Sequence, residues 1–302
     1  MNFDYGELFT RAGQIAWKHK ILWLFSALPT LLSFTIFPVV FLPILLTDFD
    51  PYGEPFFVEQ PAYIVLLVGF SILISILSIL LYAVSSASVA LGAVRAEGGA
   101  ETLAMRKLFE DGKKYWLRVI GVVLLFSLGV WIVMMTLFGC MALLGAVTMG
   151  IGFICLQPLF LLTFPLMLVL YGIIEESLAA VVVDDLGVTD AIRRGWELVR
   201  ANFWRILLIS LVAYLGVGIL SAIVTMPFMV PFFFMPFFMQ DPSGFDPRTM
   251  MLFMGGFMLL LLPIMALVQG VTITFLKATY TLVYLRLTRP REDASIPVEA
   301  NA

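Results

Sequence analysis

Six long apolar stretches constrain this chain more than any other feature. A bilayer's hydrocarbon core is about 30 Å thick, so a helix crossing it needs roughly 20 apolar residues. The stretches Ile21–Leu46, Ala62–Val94, Val119–Val147, Ile151–Ile174, Ile206–Met239 and Met251–Leu287 all qualify, the last with Lys277 inside it. Lipid offers no partner to backbone N–H and C=O groups, so each stretch is expected to be a helix with its hydrogen bonds closed internally. The 302 residues are 61% hydrophobic and 13% charged, with a mean hydropathy of +1.02. That is too little charge to cover a soluble domain. The expected fold is all-α, a polytopic membrane bundle of six spans occupying residues 1–290. A cytoplasmic tail, 291–302, is expected to be disordered.

The loops carry charge unevenly. Arg11, Lys18 and Lys20 precede the first stretch. Arg95, Arg106, Lys107, Lys113, Lys114 and Arg118 lie between the second and third. Arg193, Arg194, Arg200 and Arg205 lie between the fourth and fifth, and Lys277, Arg286, Arg289 and Arg291 close the chain. Of the 18 lysines and arginines, only Arg248 falls in the other set of loops, which hold Asp48, Asp50, Glu54, Glu59, Asp241 and Asp246. The positive-inside rule then predicts both termini in the cytoplasm. Six spans require both termini on one side, so the two arguments agree. The first twenty residues lack the apolar core of a cleavable signal, and the first span is expected to stay as an anchor. The net charge of −3 and pI near 5.2 point away from nucleic acid. Cys140 and Cys155 both lie in apolar stretches. A disulfide between them is conceivable; buried free thiols are the expectation.

A short basic, aromatic, amphipathic segment precedes each pair of spans: Tyr5–Lys20, Glu101–Arg118 and the stretch from Asp185. In the third, Val188, Ala191, Ile192, Gly195, Leu198 and Val199 recur at the spacing of one helix face. Thr189 or Asp190 is expected to cap it. Asp190 with Arg194, and Arg193 with Glu197, stand four apart and support the helix. Arg193, Arg194, Trp196, Arg200, Phe203 and Trp204, with Trp116, Lys113 and Lys114 in the second segment, are the candidates for contact with anionic headgroups. Such helices either grip lipid or only set the depth of the next span. Aligning Trp116 with Trp204 also aligns Arg106 with Arg194. Three parallel pseudo-repeats, 5–94, 101–174 and 188–287, are therefore expected, each a cytoplasmic surface helix followed by a membrane hairpin. The alternative is that any membrane entry collects Trp and Arg.

The spans are irregular. Pro227, Pro231 and Pro236 recur in the outer part of the fifth, where regular helix is expected to stop near Met226. A lateral groove for an apolar ligand or simple aromatic anchoring could follow. Ser71, Ser75, Ser78, Tyr82, Ser85 and Ser86 form one stripe along the second span, for close helix packing or for a polar lining.

Chemistry has few places to reside. The only histidine is His19, which excludes multi-histidine zinc sites and most histidine relays. No phosphate-binding glycine loop or nucleophile elbow occurs. No cofactor, metal or catalytic residue is expected. The carboxylates Glu175, Glu176, Asp184 and Asp185 are expected to be solvated on the inner side, where a Glu175–Lys277 pair can form at the mouth of the bundle. The span lengths force no charge to the bilayer centre, which argues against an ion-coupled pump. Gln157 and Gln269 are expected to act as glue between helices.

The segment VVVDDLGVTDAIRRGWELVRANFWRILLI, preceded by EESLAA, resembles a recurrent segment of a prokaryotic membrane family. That family includes the membrane domain joined to some glycerophosphoryl diester phosphodiesterases. The matching positions are Glu175, Asp185, Gly187, Ala191, Arg194, Trp196, Leu198, Asn202, Phe203 and Trp204; Gly195 and Ala201 depart from the pattern. The resemblance implies a membrane domain without activity of its own. The expected function is that of a non-enzymatic membrane component or anchor in envelope or lipid physiology, with the bilayer and a second copy or another membrane protein as partners. A permease for a lipid-like substrate is the alternative, and an enzyme acting on phospholipid headgroups a second.

Overall fold

A computed structural model describes residues 4–39, 61–148, 150–238 and 247–288. The helices are α1 (Tyr5–Lys18), α2 (Ile21–Phe34), α3 (Pro61–Glu97), α4 (Met105–Gly112), α5 (Trp116–Val147), α6 (Ile151–Val183), α7 (Val188–Ala201), α8 (Phe203–Phe238) and α9 (Pro247–Thr288), with a 3-10 turn at Lys113–Tyr115. Six are long and apolar enough to cross a membrane, as the sequence predicts. Their flanks expose Val65, Leu143, Leu220 and Phe233 at 66–74%, apolar surface on a scale that suits lipid rather than water.

The six spans form two layers. The second helix of each hairpin, α3, α6 and α9, packs against the other two to make an inner triad. The first helix of each hairpin fills an outer groove: α2 lies between α3 and α9, α5 between α3 and α6, and α8 between α6 and α9. The three short helices complete the pattern at one end. Each packs on the inner span that precedes it: α4 on α3, α7 on α6, and α1 on α9, which closes the ring.

Two of these contacts are near copies. Gly112 of α4 rests on Ser88 of α3, and Gly195 of α7 rests on Ser177 of α6. A Cβ at Gly112 would stand 3.0 Å from the Val84 carbonyl oxygen, and one at Gly195 would stand 2.8 Å from that of Ile173. Only glycine permits this approach. The serines donate to those same carbonyls, at 2.8 and 2.6 Å. Tyr82 and Tyr171 each lie six residues before the serine. The Trp116–Trp204 alignment matches the starts of α5 and α8, but it would set Gly112 opposite Arg200. The surface helices follow the glycines instead, and the difference is the extra length of α7 after Gly195.

Ion pairs latch this end. Arg11 of α1 meets Glu97 of α3 at 2.8 Å, and Arg286 of α9 meets Glu7 at 3.4 Å. Arg95 pairs with Asp111, and Arg118 with Asp185. Asp4 caps α1 by accepting from Glu7 N–H at 2.9 Å. Across the bundle, hydroxyl pairs join helices: Ser26–Thr274 at 2.9 Å, Ser33–Ser78 at 3.1 Å and Ser221–Thr272 at 3.2 Å. Each such bond contributes about 0.6 kcal/mol in a membrane bundle.

Four local expectations are corrected. The cap of α7 is Gly187, with no side-chain bond; Thr189 and Asp190 lie inside the first turn, where Asp190 faces the positive end of the helix dipole. Regular helix does not stop at Met226: α8 runs through Pro227, Pro231 and Pro236 to Phe238. A proline inside a helix removes one donor, and in a bilayer the alternative of unwinding would orphan many more groups. Gln269 is exposed on α9 rather than acting as glue between helices. Cys140 is a free thiol, exposed rather than buried on α5. The side chains of Cys155 and Gln157, the acidic loops with Asp48 and Asp241, and the tail 291–302 lie outside the described residues.

A buried charge cluster beside a lateral cleft

The carboxylate cluster of the sequence divides in two. α6 does not end at Ile174 but continues to Val183. The nine further residues add about 13 Å of helix. Glu175 and Glu176 therefore fall within the triad, at 4% and 0% exposure, while Asp184 and Asp185 stay at the surface. Asp185 accepts from Arg118, and Asp184 accepts from the hydroxyl of Tyr284. The solvated reading thus holds for the aspartates and fails for the glutamates.

The Glu175–Lys277 pair forms as expected, but in the core. Lys277 of α9 donates to both carboxylate oxygens of Glu175 at 3.2 Å, and the lysine is 4% exposed. Its ammonium also stands 5.5 Å from the centre of the Tyr82 ring on α3, within cation–π range. A buried charge is costly unless paired and hydrogen-bonded, and this geometry supplies both. Around the pair, Tyr280 donates to Ser210 at 2.7 Å, and the Tyr171 ring meets Tyr214 and Tyr280 edge-on at 4.8 and 5.7 Å.

The next carboxyl is different. Both oxygens of Glu176 are buried without a hydrogen-bond partner among the described residues, as is the hydroxyl of Ser85 on α3. Glu176 lies one residue before Ser177, on which the surface helix α7 rests, so it is buried among helices at the end that carries the short helices. Two carboxyls and one lysine share the inner triad, and their charges do not balance.

Tyr82 connects this cluster to open space. α2 and α5 both pack on α3, and the face of α3 between them forms the floor of a cleft of about 480 Å³. Thr30 and Ser33 of α2, Ser78 and Tyr82 of α3, and Ser127 of α5 bring hydroxyls to its apolar walls. The serine stripe of the second span is thus divided by depth. Ser75 is exposed and bonds to its own helix at 2.7 Å, Ser78 and Tyr82 line the cleft, and Ser85 and Ser86 are buried. The cleft lies beside the first and third spans and not beside the proline-rich fifth.

The headgroup candidates gather at the end that carries the short helices. Trp196, Phe203 and Trp204 are 53%, 39% and 78% exposed. Lys113 and Arg200 are exposed without an ion pair among the described residues, and Trp116 is half-buried. Lys114 pairs with Asp111 at 3.0 Å and Arg193 with Glu197 at 2.9 Å. Arg194 is half-buried, near enough to the Tyr284 hydroxyl to act on it electrostatically. At the first membrane entry, burial and the neighbouring Lys18 and Arg11 hold His19 below its ordinary pKa.

Sequence reasoning named Glu176 but missed its burial, and it missed the place of Tyr82 between the Lys277 ammonium and the cleft. A signal existed: from Glu175 to Val183 nothing breaks a helix, and the small residues of SLAA mark a tightly packed face.

No curated protein and no solved structure matches the chain. A family described as "Domain of unknown function (DUF7847)" has a model that matches residues 31–283, from within the first span to near the end of the sixth. This match covers α3, α6, most of α9, the Glu175–Lys277 pair and all of the cleft lining except Pro29 and Thr30, and the chain therefore belongs to that family.

Proposed function

We propose that this protein is a non-enzymatic membrane component of envelope or lipid physiology that draws a lipid-like molecule sideways into the cleft between α2, α5 and α3. The observation that carries the reading is the cleft itself. Its lining includes Ile79 and Leu124, which belong to the exposed apolar residues along the spans, and this supports an opening toward acyl chains. Its hydroxyls suit an ester, alcohol or acid group, and its floor, Tyr82, is backed by the Lys277 ammonium. A wholly apolar wall would serve a lipid tail alone. The resemblance of the segment around Asp185–Trp204 to phosphodiesterase membrane domains fits a lipid role. The protein sits in a prokaryotic inner membrane with its short helices and both termini in the cytoplasm, as the crowding of lysine and arginine at that end supports.

A permease for the same class of molecule is the second reading. It is favoured by the unbalanced carboxyl in the triad, because ionisable groups inside a span mark transport pathways. An enzyme on headgroups has less support, since the four carboxylates it would use are divided between core and surface.

Native mass spectrometry of the purified protein tests the lipid reading. Wild type should retain a lipid at one per chain through activation that strips the annular shell. Ser127→Phe, which fills the cleft's exposed wall, should lose it. Equal retention by the two proteins would overturn the proposal.

A further inference from the structure

The imbalance inside the triad asks for a positive charge. Lys277 already gives both of its short contacts to Glu175. Glu176 stands next in sequence, 0% exposed, with neither oxygen bonded among the described residues, and Ser85 of α3 adds a third buried oxygen without a partner. Native proteins satisfy nearly all buried polar atoms, and a fully buried carboxyl with both oxygens unpartnered marks a missing ion, water or proton. An ionised carboxylate alone in a low-dielectric core is among the least stable arrangements a protein can hold.

The surroundings supply no compensating side chain. On the elements packed against α6, Arg95, Glu97, Arg193, Glu197 and Arg286 are held in ion pairs elsewhere, and Asp190, Arg200 and Arg205 are exposed. The groups left near the cluster are Lys277, Tyr280 and Tyr284 from α9, Tyr82 from α3, Tyr214 from α8, Arg194 from α7 and Arg118 from α5. Lys277 is bound to Glu175 and Arg118 to Asp185, and Arg194 is half-buried beside Tyr284. On its own helix the titratable neighbour that acts on Glu176 is Glu175, another carboxyl.

We infer that Glu176 is a binding site for one small monovalent cation, either a proton held as an O–H bond on the carboxyl or a sodium ion. The site is independent of the lipid reading: it needs neither the cleft nor an occupant there. It gives the triad a charge that can be loaded and released, one helix away from the Tyr82 floor.

The test uses the full chain in nanodiscs of neutral lipid, with choline replacing sodium at constant ionic strength. A cation that binds only the folded state raises Tm by mass action, by roughly 4 °C or more for a well-occupied site in a chain of this length. If the occupant is sodium, wild-type Tm rises with sodium at fixed pH. If it is a proton, wild-type Tm without sodium falls as pH rises, and infrared spectra show a buried carboxylic-acid band. Glu176→Gln, neutral and of the same shape, should remove whichever signal wild type gives. Lipid retention should be unchanged in that variant, which separates this outcome from failure of the lipid reading. Wild-type Tm that responds to neither cation, with no acid band, overturns the inference. So does a response that survives in Glu176→Gln.

Discussion

Replacing Lys277 with methionine isolates the energetic core of this structure. The lysine sits 3.2 Å from both oxygens of Glu175, and both residues are 4% exposed. Two unit charges at that separation attract by about 5 kcal/mol at an effective dielectric of 20. Methionine keeps the length and volume of the stem but leaves Glu175 buried, unpaired and beside Glu176. Breaking a buried pair in this way costs about 3–5 kcal/mol. For a chain of this size each kcal/mol moves Tm by about 2–4 °C, so Lys277→Met should unfold roughly 6–20 °C below wild type. Glu175→Gln alone leaves the ammonium orphaned and should cost a similar amount. The double variant, Glu175→Gln with Lys277→Met, buries no charge at either position and should recover most of the loss, because a neutral replacement of a buried pair is often tolerated. Fluorescence-detected thermal unfolding in nanodiscs reads all four proteins. A Lys277→Met protein that melts with wild type would refute the reasoning. So would a double variant whose loss is the sum of the singles, since additivity means the two side chains do not interact.

Three further predictions follow from other parts of the fold. Gly195→Ala should lower Tm, by about 1–3 kcal/mol of overpacking, because its Cβ would press on α6 at 2.8 Å from the Ile173 carbonyl; Gly129→Ala, with nothing within 4 Å, should be neutral or stabilising. His19 is held below its ordinary value of 6.5, so the folded protein binds its proton more weakly than the unfolded chain. The stability this provides is complete above that value and is lost as pH falls through and below it, and the loss should be smaller in His19→Gln when unfolding is followed from pH near neutral downward. In cells, with Cys140 and Cys155 replaced by alanine, a cysteine at Arg248 should react with a membrane-impermeant reagent added outside. One at Lys113 or Arg200 should react only after lysis.

The bilayer explains why so much was legible. A span must be long, apolar and continuous, so six of them stand out in the sequence, and the basic end follows from where lysine and arginine collect. The short helices were legible because half their residues face water or headgroups, which leaves an alternating face in α7. Inside the membrane those signals vanish. Both sides of a span are apolar, so nothing local shows that α3, α6 and α9 meet at the end near the short helices, while the first half of α3, from Val65 to Ile79, is largely exposed. The Glu175–Lys277 pair was visible as two charges at matching span ends. Its depth was not, because a carboxylate pair at 175–176 reads as the end of a helix that in fact runs to Val183. The prolines of α8 misled for a related reason: in water they would end a helix, and lipid removes the solvent that would receive the freed groups. The Gly112–Ser88 and Gly195–Ser177 contacts lie 24 and 18 residues apart in sequence, beyond the reach of periodicity.

The measurement closest to the central claim is a cryo-electron microscopy map of the protein in lipid nanodiscs, detailed enough to place side chains. The account predicts α3, α6 and α9 packed together, with Lys277 against Glu175, and an elongated non-protein density entering between α2 and α5 to end at Tyr82. A map with Glu175 or Lys277 turned out to lipid or water, or with α2 and α5 closed over Tyr82, would contradict it.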